Sequence, residues 1–212
     1  MTDIIRVNPK VPDPKDIEKA ASYLLAGDVV AYPTETIYGL GVDVFNKKAV
    51  KKLYDIKARD YGLPVSILVA NASMLKEVVT EIPERAHVLM RRFWPGSLTI
   101  LFEVNEAFPK TLVTNTGKVG VRISSHPIAS ALVSKVGRPI TTTSANKTGF
   151  PPSLHVRHIQ KFFENKLACI VDGGECEPSR GSTVVDVTEE TMRIIRDGAV
   201  PADEVIRCFQ RA

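Results

Sequence analysis

A compact group of polar side chains and glycines lies in residues 32–41, YPTETIYGLG. The segment combines hydroxyl groups, the Glu35 carboxylate and two glycines, and it follows the apolar run 29–31, which predicts a buried strand. Pro33 is expected to end that strand because it has no N–H to donate, and glycine allows close backbone approach or a positive φ. Because α/β proteins often bind ligands in loops at the ends of buried strands, we predict a ligand-binding loop here.

Two cations, Lys57 and Arg59, stand two residues apart at the end of a predicted helix. Residues at this spacing do not share a helix face. Both could therefore bind one anion only if the helix ends by Lys57 and Arg59 lies in the following loop. The alternative is that both are exposed cations that interact favourably with the negative end of the helix dipole. The sequence leaves both interpretations open.

Arg122 alternates with Val119, Val121 and Ile123, so its side chain is predicted to point to the opposite face of a strand. On that face the guanidinium is either solvated or directed into a polar cavity. A planar guanidinium can bind both oxygens of a carboxylate. Arg122 is therefore a candidate anion-binding residue.

Three later segments also combine hydroxyl groups, glycines, an amide or arginines: TTTSAN at 141–146, RGST at 180–183 and RDG at 196–198. The first could simply be a capped turn. Together with the other cations, however, these segments predict a site that holds phosphate and carboxylate groups. The sequence contains no P-loop, G-x-S-x-G elbow, H-E-x-x-H motif or complete dinucleotide fingerprint, so no nucleophile or general base is predicted.

Helix and strand patterns alternate along the chain and predict one α/β domain over residues 1–212. Helices are expected from Asp13 to Gly27, from Asn46 to about Lys57, from Asn71, from Pro83 towards Trp94, over 127–136 and over 156–163. Strands are expected over 28–32, 65–69, 98–104, 119–123, 140–143, 169–171, 183–187 and 192–195. The short link between the last two strands requires them to be antiparallel, so the sheet is predicted to be mixed.

Composition and charge exclude several classes of protein. The chain is 44% hydrophobic and 25% charged, which is ordinary for a soluble globular protein, and no apolar stretch approaches the roughly 20 residues that cross a bilayer. The N-terminus lacks a signal-peptide pattern, so a cytoplasmic location is expected. Three cysteines without a Cys-x-x-Cys pair argue against a disulfide framework or a zinc site. A net charge of +4 does not by itself indicate nucleic-acid binding.

Taken in order, these segments resemble the YrdC-like domain of threonylcarbamoyl-AMP synthases. The matching segments are PTETIYGLG at 33–41, Lys57-x-Arg59, PGSLT at 95–99, Val121-Arg122, Ser144-Ala-Asn146, STVVD at 182–186 and Arg196-x-Gly198. They belong to a similarity that spans roughly residues 10–200. The resemblance implies a single domain whose twisted, mixed parallel and antiparallel sheet, with flanking helices, surrounds a basic cavity.

The resemblance also implies an activity. Such enzymes join L-threonine, bicarbonate or CO2 and ATP into L-threonylcarbamoyl-adenylate and release pyrophosphate. A downstream transferase complex then moves the threonylcarbamoyl group to adenosine 37 of tRNA. Magnesium is expected to arrive with ATP, bound by its phosphates and by no protein ligands.

Residue roles follow from the same resemblance. It assigns threonine binding to Thr36, Arg122, Thr142 and Ser182, and ATP binding to Lys57, Arg59, Ser144, Asn146 and Arg196. Lys57 and Arg59 would act electrostatically, and no residue is assigned as nucleophile or base.

The chain departs from the family pattern at four single positions, and the Pro-Ser that usually follows Ser-Ala-Asn is displaced into Pro151-Pro152-Ser153. Asp60 replaces a usual proline, and Leu63 replaces an asparagine that commonly contacts ATP. Leu68 stands where many relatives have a histidine near threonine, and Lys118 where threonine is common. Two other functions remain open at this stage. One is a non-catalytic module that binds tRNA or double-stranded RNA, and the other is a nucleotide-binding paralogue with another reaction.

Overall fold

The computed structural model describes residues 1–113, 115–163 and 165–210, which form two mixed sheets with helices packed on them. The strands are β1 (Asp3–Arg6), β2 (Val30–Pro33), β3 (Tyr38–Gly41), β4 (Ile67–Leu68), β5 (Leu98–Glu103), β6 (Lys118–Arg122), β7 (Ile140–Thr141), β8 (Thr143–Ser144), β9 (Cys169–Asp172), β10 (Thr183–Asp186) and β11 (Arg193–Arg196). The helices are α1 (Pro14–Leu25), α2 (Lys47–Lys57), α3 (Ala72–Lys76), α4 (Glu84–Phe93), α5 (Pro127–Val136), α6 (Val156–Phe163) and α7 (Ala202–Phe209), with a 3-10 turn at Lys110–Leu112.

The predicted mixed α/β architecture is confirmed, but the strands divide between two sheets rather than one. The first sheet has the order β1-β9-β2-β3-β8, and the second has the order β11-β10-β5-β6-β4-β7. β10 runs parallel to β5 and antiparallel to β11, as the short link between β10 and β11 requires. β1, at the edge of the first sheet, was not predicted.

Capping residues begin the first two helices where the sequence predicts. The Asp13 side chain accepts the N–H of Lys15 at 2.8 Å, and Pro14 follows at the first helical position. The Asn46 side chain accepts the N–H groups of Lys48 and Ala49. The apolar residues Ile17, Ala20, Ala21 and Leu24 of α1 are buried, whereas Leu25 at its end is 55% exposed. Among the described residues, no helix is long and apolar enough to span a membrane.

Residues 30–41 form a hairpin, which corrects the prediction that a long polar loop follows the strand from Pro33 to Gly41. Pro33 is the last residue of β2 and pairs with Tyr38 of β3. The Tyr38 N–H donates to Ser153 O rather than to Pro33, so Pro33 and Tyr38 form a non-hydrogen-bonded pair of the antiparallel ladder. The N–H that proline lacks is therefore not needed at this position. Gly41 allows the Tyr32 ring to pack closely against the backbone, since a Cβ at residue 41 would lie only 2.7 Å from Cε1 of Tyr32. The loop proper is therefore only residues 34–37.

The predicted strand at 140–143 is divided between the two sheets. Ile140–Thr141 (β7) pairs with β4 in the six-stranded sheet, whereas Thr143–Ser144 (β8) pairs with β3 in the five-stranded sheet. Thr142 is the single residue between them, and its N–H donates to Ser66 O at 2.8 Å. The chain thus passes from one sheet to the other at Thr142.

Candidate functional site

A polar cavity of about 230 Å³ is lined by residues of both sheets. The hairpin turn, β8, β5, β6 and the segment just before β10 all contribute to its wall. Seven of the predicted site residues line it: Thr36, Arg59, Arg122, Thr142, Ser144, Ser182 and Arg196. Lys57 and Asn146 are buried close by, but they are not part of the wall. The folded chain therefore brings together residues that the sequence separates by up to 160 positions.

Arg122 faces the cavity rather than open solvent. Its residue is only 4% exposed, and its Nη1 lies 3.3 Å from Oγ1 of Thr36. The same nitrogen lies 3.2 Å from Oε1 of Glu35, whose other carboxylate oxygen accepts a hydrogen bond from Ser124 Oγ. Glu35 thus neutralises Arg122 from the hairpin turn, a contact that the sequence did not assign.

The hairpin turn is organised by Thr34, which sequence reasoning had not singled out. Its Oγ1 donates to Ile37 O at 2.7 Å and accepts the N–H groups of Thr36 and Ile37 at 3.2 Å each. The same hydroxyl lies 3.0 Å from Oγ1 of Thr36. These bonds fix the backbone of the turn and hold the Thr36 hydroxyl between Thr34 and Arg122.

Ser182 is held by two neighbours. Arg196 Nη2 donates to the Ser182 carbonyl at 2.7 Å and to its Oγ at 3.1 Å. On the other side, the Oγ1 of Thr99 in β5 lies 2.8 Å from Oγ of Ser182. Desolvation and the positive charge of Arg122 both lower the pKa of Arg196. Thr99 received no role from the sequence, although it ends the PGSLT segment.

Arg59 lies in the loop after α2, which meets the condition stated above for Arg59 to bind an anion. The helix ends at Lys57, and Ala58 takes a left-handed conformation with φ of 48°. Arg59 Nη2 donates to Pro64 O at 2.9 Å, which fixes the guanidinium on the cavity wall.

Lys57 is buried, so the interpretation of an exposed cation at the helix end is wrong for this residue. Its Nζ donates to Ser144 O at 2.5 Å and to Asn146 O at 2.8 Å. Desolvation, with a contribution from the charge of Arg59, lowers the pKa of Lys57 to about 7. Its contacts show that Lys57 braces the 144–146 turn from behind the cavity wall.

The 144–146 turn presents one hydroxyl to the cavity. Ser144 Oγ donates to Asn146 Oδ1 at 2.5 Å, and Asn146 Nδ2 donates to Phe150 O. Both polar atoms of the Asn146 side chain are therefore engaged within their own loop. Asn146 therefore acts as the capping residue of a turn, as one interpretation of the sequence had it. Ser144 belongs to the same turn and also lines the cavity.

Unpaired buried atoms mark the site as incomplete. In the described part of the chain, three buried side-chain atoms have no hydrogen-bond partner: Glu35 Oε1, Arg59 Nε and Arg122 Nε. Buried polar atoms without partners are rare and costly. Two of the three are donors on cavity-lining arginines, so acceptor oxygens of a ligand would complete them. Among the same residues, no group of three or more His, Cys, Asp or Glu side chains is arranged to hold a metal ion.

The four single-position departures from the family pattern lie off the cavity wall, whereas Pro152 of the displaced Pro-Ser segment lines it. Asp60 and Leu63 are exposed in the loop after α2, and Leu68 is fully buried beside Arg122 in the sheet. Lys118 is buried at the opposite end of β6, where its Nζ lies 2.9 Å from Oδ2 of Asp186 in a buried ion pair. The Lys118 departure therefore has a structural explanation within the six-stranded sheet.

Comparison with known proteins gives a consistent result. The family model Sua5_yciO_yrdC, described as "Telomere recombination", matches residues 22–198. Threonylcarbamoyl-AMP synthase of Pyrococcus abyssi is 38% identical over 97% of this chain and 60% of its own length. A putative threonylcarbamoyl-AMP synthase of Methanocaldococcus jannaschii is 32% identical over 92% of this chain and 91% of its own length.

The fold agrees with a solved relative. The structure of Pyrococcus abyssi Sua5 complexed with L-threonine superimposes with a TM-score of 0.93 and 36% identity, over 98% of this chain and 61% of that one. The chain spans about three fifths of the length of the first curated relatives it matches.

Proposed function

The chain belongs to the Sua5/YciO/YrdC family, and on that premise we propose that it is a threonylcarbamoyl-AMP synthase. The proposed reaction joins L-threonine, bicarbonate or CO2 and ATP into L-threonylcarbamoyl-adenylate and pyrophosphate. One observation carries the proposal. It is the cavity between the two sheets, which is lined by arginines, two of which (Arg59 and Arg122) carry buried Nε donors without a partner among the described residues. The relatives' names and the threonine complex of the Pyrococcus abyssi protein support it.

Threonine is proposed to bind at the Arg122 end. Glu35 already faces Nη1 of Arg122, while Nε has no partner, so the guanidinium can hold a second carboxylate through its free side. The hydroxyl groups of Thr36, Thr142 and Ser182 line the same cavity and are candidates to bind the amino acid. Because Thr34 and Thr99 fix two of these hydroxyls, the threonine end is preorganised.

ATP is proposed to bind against Arg59, Ser144 and Arg196, which line the cavity. Lys57 and Asn146 would contribute by shaping the turn that carries Ser144. A cavity of about 230 Å³ is smaller than the roughly 300–1,000 Å³ typical of ligand sites, so the nucleotide would extend beyond it. Magnesium would enter on the phosphates of ATP and supply charge neutralisation there.

The proposed reaction needs no covalent intermediate with the protein. The threonine amine attacks CO2 to form a carbamate, and a carbamate oxygen then attacks the α-phosphorus in line while pyrophosphate leaves. Positioning and charge stabilisation dominate such phosphoryl chemistry. The proposed role of Arg59, Arg122 and Arg196 is therefore to hold and neutralise the two reacting anions, and no residue is assigned as nucleophile or base.

The product is an activated intermediate, so we propose that a downstream tRNA threonylcarbamoyl transferase complex consumes it in the cytoplasm, where ATP and bicarbonate are plentiful. Direct contact of this chain with tRNA or double-stranded RNA stays a prediction.

Purified protein incubated with L-threonine, bicarbonate and ATP tests the proposal. We expect pyrophosphate release that requires both threonine and bicarbonate, and a product whose mass is that of threonylcarbamoyl-adenylate. ATP hydrolysis that is independent of threonine would favour the paralogue with another reaction. Tight binding of tRNA without pyrophosphate release would favour the RNA-binding module.

A further inference from the structure

Four guanidinium groups line the cavity, and one of them has no role in the site described so far. Arg59, Arg122 and Arg196 each have a protein partner, namely Pro64 O, Glu35 and Ser182. Arg180 also lines the cavity, yet in the described residues its side chain makes no hydrogen bond or ion pair. The RGST segment at 180–183 was singled out in the sequence, but the resemblance gave Arg180 no function.

The backbone around Arg180 is held firmly. The N–H of Gly181 donates to Ser179 Oγ at 3.1 Å, and its carbonyl accepts the N–H of Ala199 at 2.8 Å. Gly181 has φ of 80°, a conformation that residues other than glycine rarely adopt. Since Ser182 follows directly and is itself bonded to Arg196, Arg180 is carried by a fixed segment at the mouth of the cavity, where its residue is exposed.

The charge balance of the cavity requires anions. No acidic residue of the described chain lines the cavity, and Glu35 neutralises only Arg122. Threonine brings one carboxylate, which the proposed function assigns to Arg122. The other anionic groups of the proposed substrates are mainly phosphates, which a planar guanidinium binds through two parallel N–H bonds.

We propose that Arg180 binds the polyphosphate of ATP, the part that leaves as pyrophosphate, at the mouth of the cavity. The inference rests on the proposed function for the identity of the anion. Its physical basis is a guanidinium without a protein partner, held beside three other arginines by a rigid Gly181 turn. Arg180 thereby acts on the leaving group rather than on the amino acid.

Direct binding of inorganic pyrophosphate and of L-threonine, measured separately by titration calorimetry, tests this assignment. Arg180→Ala should weaken pyrophosphate binding by about tenfold or more, the loss expected for charged hydrogen bonds, and leave threonine binding unchanged. Arg180→Lys should recover part of the pyrophosphate affinity because it restores the charge without the planar fork. Arg157→Ala is the matched control, since Arg157 is exposed on α6 away from the cavity.

Three results would overturn the assignment: no pyrophosphate binding by the unaltered protein, an unchanged pyrophosphate affinity in Arg180→Ala, or an equal loss for threonine. The unfolding temperature of each variant, measured alongside, identifies any loss that is caused by misfolding. The two proposals fail separately. A protein that binds pyrophosphate through Arg180 but makes no threonylcarbamoyl-adenylate contradicts the proposed function. An active synthase whose pyrophosphate affinity does not depend on Arg180 contradicts only this inference.

Discussion

Nη1 of Arg122 lies 3.2 Å from Oε1 of Glu35, and the two side chains are only 4% and 15% exposed. Glu35 belongs to the hairpin turn of the five-stranded sheet, and Arg122 ends β6 of the six-stranded sheet. This ion pair therefore joins the two sheets at the wall of the cavity. It leaves Nε of Arg122 without a partner, which makes the pair part of a binding site as well as a structural contact.

Replacing Arg122 should impair threonine use far more than ATP use. Arg122→Ala removes the guanidinium proposed to hold the threonine carboxylate, so the KM for threonine should rise roughly 10- to 100-fold while the KM for ATP changes little. Steady-state pyrophosphate release at varied threonine and at varied ATP measures both constants. An equal rise in the two would contradict the carboxylate role.

Removing one member of the Glu35–Arg122 pair should destabilise the protein more than removing both. Glu35→Gln leaves a buried guanidinium without its counter-ion and should lower the free energy of unfolding by about 3 kcal/mol. The double variant Glu35→Gln, Arg122→Met should recover part of that loss, because neither charge is then left unpaired. Urea unfolding of the four proteins completes the cycle. Additive losses would show that the two side chains do not interact.

Lys57 should make stability depend on pH above neutrality. Its pKa is about 7 in the folded chain, against an ordinary value of 10.5. Between these values the unfolded chain holds a proton that the folded chain has released, so this group makes stability rise with pH. Urea unfolding at pH 7, 8 and 9 should show the unaltered protein gaining stability relative to Lys57→Met. Parallel pH profiles for the two proteins would contradict a lowered pKa for Lys57.

The Thr99 hydroxyl should matter for threonine binding although no role was predicted for it. Thr99→Val keeps the shape of the side chain but removes the partner of Ser182 Oγ, which should cost about 1 kcal/mol of stability. It should also raise the KM for threonine, because Ser182 is then held by Arg196 alone. Thr80→Val is the control, since it removes a hydroxyl bond to Val104 O on the surface. If both variants had the same KM for threonine, a positioning role for Thr99 would be ruled out.

Local signals in the sequence predicted much of the architecture. The caps at Asp13 and Asn46 depend on neighbouring residues and were correct, whereas the sequence left open whether Arg59 lies in the loop after α2. The alternation around Arg122 predicted that its side chain faces away from Val119 and Val121. These features could be read because the physical interactions that cause them act over a few residues.

Features that depend on distant contacts could not be predicted in this way. Thr99 and Ser182 are 83 residues apart, and Lys57 reaches a turn 87 residues away. In the hairpin after Pro33, the Tyr38 N–H donates to the carbonyl of Ser153, a partner 115 residues away that no local pattern predicts. In each case the hydrogen-bond partner is brought close by tertiary packing, so the contact cannot be predicted from the neighbouring residues in the sequence.

The crossing at Thr142 limits how the cavity can open. One residue separates the pairing of β7 in one sheet from the pairing of β8 in the other. Since a residue of extended chain spans at most about 3.5 Å, the two sheets cannot separate at Thr142 without losing one of these pairings. Because Thr142 itself lines the cavity, the covalent chain sets the spacing of the two sheets there, and a bound ligand cannot widen the cavity at this point.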